Sequence, residues 1–213
     1  MLSQLVSEAV LARPISGAFS LEFFHRKNSF LLEGEGPYLL ESDHIGLRHD
    51  EGYSGAVNGW VTLRYIAVES VNYSSANLFD VTGGGVEIGL SRAWNIGEQW
   101  QLAAESDYQF ESINSVSDSG AVRIGWHAAT AQIKMHTKIS KRLTINTAIL
   151  GRTIDGFLKQ RNAEPLSIKI DDYLGSSLGV AWEIEPTGIV TVTAIHFTET
   201  SIGLQFIRTY DMR

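Results

Sequence analysis

Cysteine is absent from the 213 residues, and proline occurs only four times. The lack of cysteine excludes disulfide bonds, thiol catalysis and thiolate metal sites. No apolar stretch approaches the roughly 20 residues that a membrane-spanning helix requires. Basic residues are also few, with 17 Lys and Arg against 24 Asp and Glu and a net charge of −7. This balance argues against binding to nucleic acid or to anionic lipid surfaces in general, because both need an excess of Lys and Arg.

The N-terminal segment lacks the features of a secretory signal peptide. Residues 1–19, MLSQLVSEAVLARPISGAF, have no basic start and no compact apolar stretch. One side of a short helix here would hold the apolar residues Leu2, Leu5, Val6, Ala9 and Val10. We therefore expect a leader or short helix over residues 1–15 and a single β-barrel domain over 16–213. The missing signal weighs against export, unless the chain is a mature form.

The stretch WQLAAESDYQF, residues 100–110, alternates between two kinds of residue. One side of an extended chain would hold Trp100, Leu102, Ala104, Ser106, Tyr108 and Phe110. The other would hold Gln101, Ala103, Glu105, Asp107 and Gln109. A period of two over this length predicts a strand with one apolar and one polar face. The apolar face would point into the core of a water-soluble protein, or outward into lipid in a membrane barrel.

The same period recurs along most of the chain, which predicts an all-β fold. Alternation is clear near residues 19–23, 57–65, 86–91, 122–127, 133–139, 143–149, 178–184, 189–198 and 201–210, and weak over 38–48. The phase changes near Ala128 and Ala129, which we interpret as a β-bulge in one long strand. We predict an antiparallel up-and-down β-barrel of about ten strands, with eight as the alternative.

The predicted connections alternate between short and long. Residues 95–98, 140–142 and 185–188 suit tight turns. Long polar connections are expected at 25–37, 70–81, 112–119 and 154–167. Short turns at one end and longer loops at the other are typical of barrels that span a bacterial outer membrane.

Several aromatic residues lie where a membrane boundary would be. Trp94 and Trp100 flank one short turn, and Trp182 precedes another. Trp and Tyr favour the membrane–water boundary, where the ring is apolar and its polar group stays hydrated. We predict that Trp94, Trp100, Trp182 and Tyr108 are membrane-interface aromatics, and that Trp126 also faces outward. Ordinary core tryptophans are the alternative.

Two long segments carry a resemblance to a known kind of protein. GGGVEIGLSRAWNIGEQWQLAAESDYQF and SSLGVAWEIEPTGIVTVTAIHFTETSIGLQFIRTY resemble the strands and turns of small Gram-negative outer-membrane β-barrels of the opacity-protein and OmpA-like kind. The likeness covers about residues 55–210 and is one of pattern. It implies a location in the bacterial outer membrane, with the lipid bilayer as partner. Such barrels commonly end on an aromatic residue, whereas Asp211, Met212 and Arg213 follow Tyr210 here.

If the apolar face meets lipid, the charged residues converge inside the barrel. The predicted lumen network consists of Glu87, Glu105, Asp107, Arg123, Lys134, His136 and Lys138. Pairing across the loop at 112–119 would place Asp107 near Arg123. Such charges would form a hydrogen-bonded plug; a small selective channel is the alternative.

No motif in the sequence specifies a cofactor, a metal site or a catalytic group. Gly83-Gly84-Gly85 lacks the Lys-Ser/Thr of a phosphate loop, and we expect a flexible beginning of a strand there. His196, Glu199 and Ser201 cluster around one hairpin, but such residues are common in polar turns. We therefore expect a structural, adhesive or partner-binding barrel, with any protein partner at the external loops. The alternative is a soluble lipocalin-like or virion-type β-barrel that holds a hydrophobic ligand or a protein partner.

Overall fold

The computed structural model describes residues 16–32, 37–53, 55–72, 78–117, 120–160, 164–169, 174–196 and 200–211. The leader or helix predicted for residues 1–15 lies outside these ranges. A helix of the length and apolarity needed to cross a membrane is not found in the described part of the chain.

The described residues form eleven β-strands, of which the first seven are long. These seven contain 16 to 19 residues each. In chain order the strands are β1 (Ser16–Leu32), β2 (Pro37–Tyr53), β3 (Val57–Asn72), β4 (Leu78–Asn95), β5 (Trp100–Ser117), β6 (Gly120–Lys138), β7 (Leu143–Gln160), β8 (Leu166–Lys169), β9 (Leu174–Glu185), β10 (Gly188–His196) and β11 (Thr200–Asp211).

The strands form a closed antiparallel barrel. β1 pairs with β11, and β7 pairs with β9 along Leu143–Gly151, so every strand except β8 takes part in one ring of ten. The short β8 lies at the end of the barrel opposite Ser16 and Asp211, which we call the upper end. There, beyond the ends of β9 to β11, it pairs with β7 and β1. The upper part of the barrel is therefore a ring of β1 to β8. The predicted fold of about ten strands is confirmed, because the N-terminal strands β1 and β2 form and belong to the ring.

The predicted tight turns are found where expected, but the predicted long loops are mostly strand. Turns at 96–99, 139–142 and 186–187 connect β4 to β5, β6 to β7 and β9 to β10. Most of 25–37, 70–81, 112–119 and 154–167 belongs to β1, β3, β4, β5, β7 and β8 instead. Exposed outward residues in these stretches, such as Asn114 and Lys159, are polar. The end of the barrel that carries these three turns, together with Ser16 and Asp211, is called the short-turn end below.

The lower half of the barrel has an apolar outer surface. Side chains that face outward there are exposed and mostly large and apolar, among them Phe19, Leu21, Ile45, Leu47, Leu63, Ile88, Tyr108, Phe110, Ile133, Ile149, Leu178, Trp182, Val192 and Ile202. We call this surface the apolar belt. Along β5 the belt runs from Trp100 to Phe110, a rise of roughly 33 Å along the strand and about 25 Å in height at a tilt near 40°. That height matches the hydrocarbon thickness that outer-membrane barrels span.

Above the belt the polarity of the two faces is reversed. Many outward residues there are polar and exposed, such as Asn114, Arg123 and Lys159, whereas Leu39 is an exposed apolar residue on the same surface. The inward residues form a buried apolar cluster, which we call the cap: Leu40, Ile66, Val81, Ile113, Val122, Ile124, Trp126, Ala128, Ile154, Leu158 and Ile168. An eight-stranded ring is narrow enough for side chains to fill its interior. The upper end of the barrel is therefore packed like the core of a water-soluble protein.

This reversal explains the phase change near Ala128. The pairing of β6 with β5 and with β7 is continuous along the described residues 122–137, so the predicted bulge is wrong. Val122, Ile124 and Trp126 point into the cap, whereas Ile133 belongs to the apolar belt. The strand keeps its period of two. Its apolar residues change sides where the barrel changes from the apolar belt to the cap.

Candidate functional site

Below the cap the barrel encloses a polar cavity of about 740 Å³. The cavity reaches the turn between β4 and β5, so it lies toward the short-turn end. Many of the inward residues of β1 to β7 that line it are charged or amide-bearing. The wall on β9 to β11 has small residues at Ser177, Gly179, Ala181, Thr191 and Thr193, together with Ile189, Ile195, Gln205 and Ile207. Small side chains on one wall leave the space that long side chains occupy elsewhere.

A buried cluster of charges lies between the cavity and the cap, with Arg64 at its centre. Arg64 Nη2 donates a hydrogen bond to Glu87 Oε2 at 2.5 Å. The same guanidinium lies 3.7 Å from Glu22 Oε2 and 3.8 Å from Glu111 Oε1. Arg26 approaches Glu111 from β1 at 3.5 Å, and His44 Nδ1 lies 3.7 Å from the same carboxylate. Because a buried charge is costly unless it is paired, this arrangement holds five strands in a fixed register.

Several polar atoms of this region are buried and make no hydrogen bond to another described residue. Arg64 Nε, Gln109 Nε2 and Glu22 Oε2 are examples. Gln109 accepts a hydrogen bond through its other amide atom, from Arg152 Nη2 at 2.9 Å. Buried polar atoms of this kind normally bind water. The cavity is thus suited to hold water or a polar solute.

Six residues of the predicted lumen network lie on the inner wall, grouped in smaller sets. Glu87 accepts a hydrogen bond from Trp60 Nε1 at 2.8 Å, in addition to that from Arg64. Glu105 accepts hydrogen bonds from Lys134 Nζ at 2.8 Å and from Gln132 Nε2 at 2.7 Å.

The remaining three inward residues of the network belong to β5 and β6. Asp107 is hydrogen-bonded to Thr130. His136 Nδ1 lies 2.7 Å from Asn146 Oδ1, and Lys138 lines the cavity near the short-turn end. The set therefore covers the lower wall of the barrel and does not converge on one reactive centre.

The prediction for Arg123 is wrong. Arg123 faces outward above the belt, where its Nε donates a hydrogen bond to Ser112 Oγ at 3.2 Å. Asp107 is opposite Thr130, and Arg123 is opposite Asn114. The error arises from the position of the hairpin: β5 continues to Ser117, so the partner of each β5 residue lies seven positions further along β6 than predicted. A shift by an odd number also moves the side chain to the other face.

Four predicted interface aromatics lie on the outer surface. Trp94, Trp100 and Trp182 are exposed near the short-turn end, and Tyr108 is exposed near the upper limit of the belt. Their contact with lipid remains a prediction. The prediction for Trp126 is wrong, because only 2% of this side chain is exposed and it belongs to the cap.

Sequence reasoning missed much of the buried cluster. The predicted network does not include Glu22, Arg26, His44, Arg64, Glu111 and Arg152, whose side chains are buried. The signal was present for Glu22 and Arg64, which occupy polar positions between the apolar residues of β1 and β3. His44 lies in the weakly patterned β2, where the two faces could not be separated.

The hairpin residues His196 and Ser201 do not form a catalytic pair. His196 is exposed on the outside of β10, and Ser201 is buried on the inside of β11. The wall of the barrel separates their side chains, because successive residues of a strand point to opposite faces. Glu199 lies outside the described residues.

These features define the class of the protein. A closed antiparallel barrel with an apolar belt outside and a charged cavity inside has the architecture of a small bacterial outer-membrane β-barrel. No protein-family model matches the sequence, and no curated protein matches it.

Several solved structures have a fold similar to that of this chain. The outer membrane protease OmpT from Escherichia coli is similar, with a TM-score of 0.55, 7% identity, and coverage of 95% of this chain and 98% of that one. An outer membrane channel from Pseudomonas putida F1 has a TM-score of 0.54 and 9% identity, over 93% of this chain and 96% of that one. The beta domain of the Bordetella autotransporter BrkA has a TM-score of 0.53 and 7% identity, over 92% and 100%. Identities this low show the fold and leave the activity open.

Proposed function

We propose that the chain is an integral protein of the bacterial outer membrane that does not conduct solutes. In this proposal it has a structural, adhesive or partner-binding role, which is carried by the part of the barrel above the lipid. The observation that supports this most directly is the reversal of polarity halfway along the strands. A barrel that is apolar outside and charged inside suits lipid, and a barrel that is polar outside and apolar inside suits water.

The packed cap supports a closed barrel. A path through the barrel would have to pass Ile66, Ile113 and Trp126, each of which is at most 2% exposed. Transfer of ions or polar solutes through such a layer is unfavourable, because it offers no polar partner.

The upper ring also supports a role at the outer surface. Along β5 it extends from Glu111 to Ser117, about 18 Å above the belt at the spacing and tilt of barrel strands. Its cap makes it a rigid platform, and its exposed outer side chains include both acids and bases. A rigid, charged surface of this kind is suited to specific contacts, because little conformational entropy is lost on binding.

The alternative of a soluble barrel with a hydrophobic ligand has less support. Such a barrel needs an apolar cavity, whereas this cavity is lined by Glu22, Arg48, Arg64 and Glu87. It would also leave the whole apolar belt in water, which far exceeds the exposed apolar patches of soluble monomers.

Refolding tests the membrane proposal. We expect the purified chain to fold only in detergent or lipid vesicles and to migrate differently on a gel with and without boiling. In planar bilayers the folded barrel should give no stepwise conductance. A monomer that stays soluble without detergent would exclude the membrane proposal, and regular conductance steps would exclude the closed barrel.

Two cell experiments separate the structural role from the adhesive one. Loss of a structural protein should make the outer membrane leaky to a large hydrophilic antibiotic such as vancomycin. Display of an adhesive protein should make cells aggregate or bind to coated surfaces. If neither deletion nor display changes these properties, a role at the outer surface is contradicted.

A further inference from the structure

A second group of polar residues lies on the outside of the barrel, just above the apolar belt. His25 of β1, Asp43 of β2 and Glu69 of β3 face outward on three neighbouring strands. One nitrogen or oxygen atom from each of these side chains lies within 4.8 Å of the other two. Glu69 is the extra residue of a β-bulge, since Glu41 is opposite Ser70 and Ser42 is opposite Val68. Bulges of this kind change the direction of a side chain, and here the change brings a carboxylate toward Asp43.

Two further residues fix the orientation of the histidine. His25 Nε2 lies 3.1 Å from Glu41 Oε1, and Lys27 Nζ lies 2.7 Å from the same oxygen. Glu41 therefore accepts the Nε2 proton of His25, which leaves Nδ1 directed at Asp43 Oδ1, 3.0 Å away. A histidine that binds a metal ion through one nitrogen commonly donates its other N–H to a carboxylate in this way.

Asp43 contacts both other side chains of the cluster. Its Oδ1 lies 3.0 Å from His25 Nδ1, and its carboxyl group is hydrogen-bonded to that of Glu69. A divalent cation among these atoms would offset the charge of the two neighbouring carboxylates.

We propose that His25, Asp43 and Glu69 bind a first-row divalent metal ion such as Zn²⁺ on the outer surface of the barrel. One imidazole nitrogen and two carboxylate oxygens form a ligand set that Zn²⁺ accepts, at bond lengths of about 2.0–2.2 Å. The ligand atoms need to move only a little to reach these distances, because all three side chains are at the surface. Glu41 and Lys27 support the site without contacting the metal.

The ligand set also limits which metal binds. Ca²⁺ requires six or more oxygen ligands, and Mg²⁺ keeps most of its water, so a site with one nitrogen and two oxygens favours neither. Three protein ligands leave at least one coordination position open to solvent. Because the site joins β1, β2 and β3, a bound ion would also hold these strands together just above the lipid.

Titration of the folded barrel with Zn²⁺ tests the site. The protein is purified in detergent without a histidine tag, treated with EDTA and measured by calorimetry at pH 7.5. We expect saturable binding of one ion per chain, and a higher melting temperature with Zn²⁺ than with EDTA. Glu69→Gln and Asp43→Asn should each weaken the affinity by at least about tenfold. Binding should also weaken at pH 5.5, because protons compete for the same atoms.

His49→Gln is a matched control on the same strand as Asp43. His49 Nε2 lies 3.3 Å from Glu51 Oε1 at the other end of β2. This pair has one imidazole and one carboxylate, whereas the proposed site has one imidazole and two carboxylates. This variant should bind Zn²⁺ like the parent. Glu69→Gln should keep its fold, because it removes an exposed like charge beside Asp43. Equal affinity of the parent and Glu69→Gln, or no saturable binding, would overturn the site; displacement by equimolar Mg²⁺ or Ca²⁺ would overturn the choice of metal.

Discussion

The indole ring of Trp60 lies over Gly89 of the neighbouring strand, in the space that a side chain would occupy. A Cβ atom at Gly89 would come 2.1 Å from Trp60 Cζ2. The ring can reach the interior only because this position has no side chain, and from there its Nε1 donates to Glu87. Arg48 also lies over this ring, with its guanidinium carbon 4.4 Å from the ring centroid. One glycine thus determines where an aromatic ring and two charges of the lumen lie.

Gly89→Ala should therefore destabilise the barrel. The added methyl group displaces Trp60 and weakens its hydrogen bond to Glu87, at a cost of about 1–3 kcal/mol for an overpacked site. Urea unfolding of the barrel in detergent measures the free energy. Gly97→Ala is the control, since a Cβ atom there meets nothing within 4 Å and the change should be nearly neutral. Equal effects of the two substitutions would mean that Trp60 does not need Gly89.

Arg64→Met should destabilise the barrel far more than Arg123→Ala. Removal of Arg64 leaves Glu22, Glu87 and Glu111 without their shared cation, at a cost of up to about 3–5 kcal/mol, and less where water reaches them. Arg123 is exposed above the belt, so its loss should change stability by no more than about 0.5 kcal/mol. The same unfolding experiment compares the two. An effect of Arg123→Ala as large as that of Arg64→Met would mean that Arg123 belongs to the lumen network.

The fold could be predicted from sequence because a period of two is a local property. Each strand of the apolar belt, such as the one from Trp100 to Phe110, shows its two faces without knowledge of its neighbours. The same alternation does not show which face of the strand points outward at a given position along the barrel axis. Trp126 and Ile133 are both apolar, but they lie on opposite faces because one is in the cap and the other in the belt.

The candidate site was harder to predict because it depends on register and on strand length. The sequence predicts a connection at 112–119, whereas β5 continues to Ser117, and this difference moves every expected partner across the hairpin. The approach of Arg64 to Glu111 joins strands that are not neighbours in the sheet. A contact across the lumen has no fixed separation in sequence. No local pattern can therefore reveal it.

The five tryptophans should differ in their contact with lipid. We expect bromine-labelled lipids to quench Trp94, Trp100 and Trp182, which are exposed on the belt, and to leave Trp60 and Trp126 unquenched, since they are buried inside the barrel. Variants that each retain one tryptophan, with the others replaced by phenylalanine, allow the measurement residue by residue. Quenching of Trp126 at the level of Trp182 would place the cap inside the bilayer and contradict its position above the belt.

A lysine scan along the outer face of β5 should reveal how far the lipid extends. We expect Lys at Ala104 or Ser106 to cost about 2–4 kcal/mol, because these positions lie near the middle of the belt. Lys at Leu102 or Phe110 should cost less, since its ammonium group can reach the boundary. Asn114→Lys is the control on the same face, and it should be neutral because Asn114 is exposed above the belt.

Folding yields in vesicles of two thicknesses separate lipid from a protein core. Lys at Ala104 would also be unfavourable if this face were packed in the core of a soluble protein. The cost of this substitution alone therefore shows only that the face is shielded from water. In the membrane model, the positions at which Lys lowers the folding yield are those inside the hydrocarbon layer. Thinner lipid should therefore reduce the number of such positions, and Lys at Leu102 and Phe110 should become tolerated first. A profile that is the same in both lipids would mean that this face of β5 packs against protein.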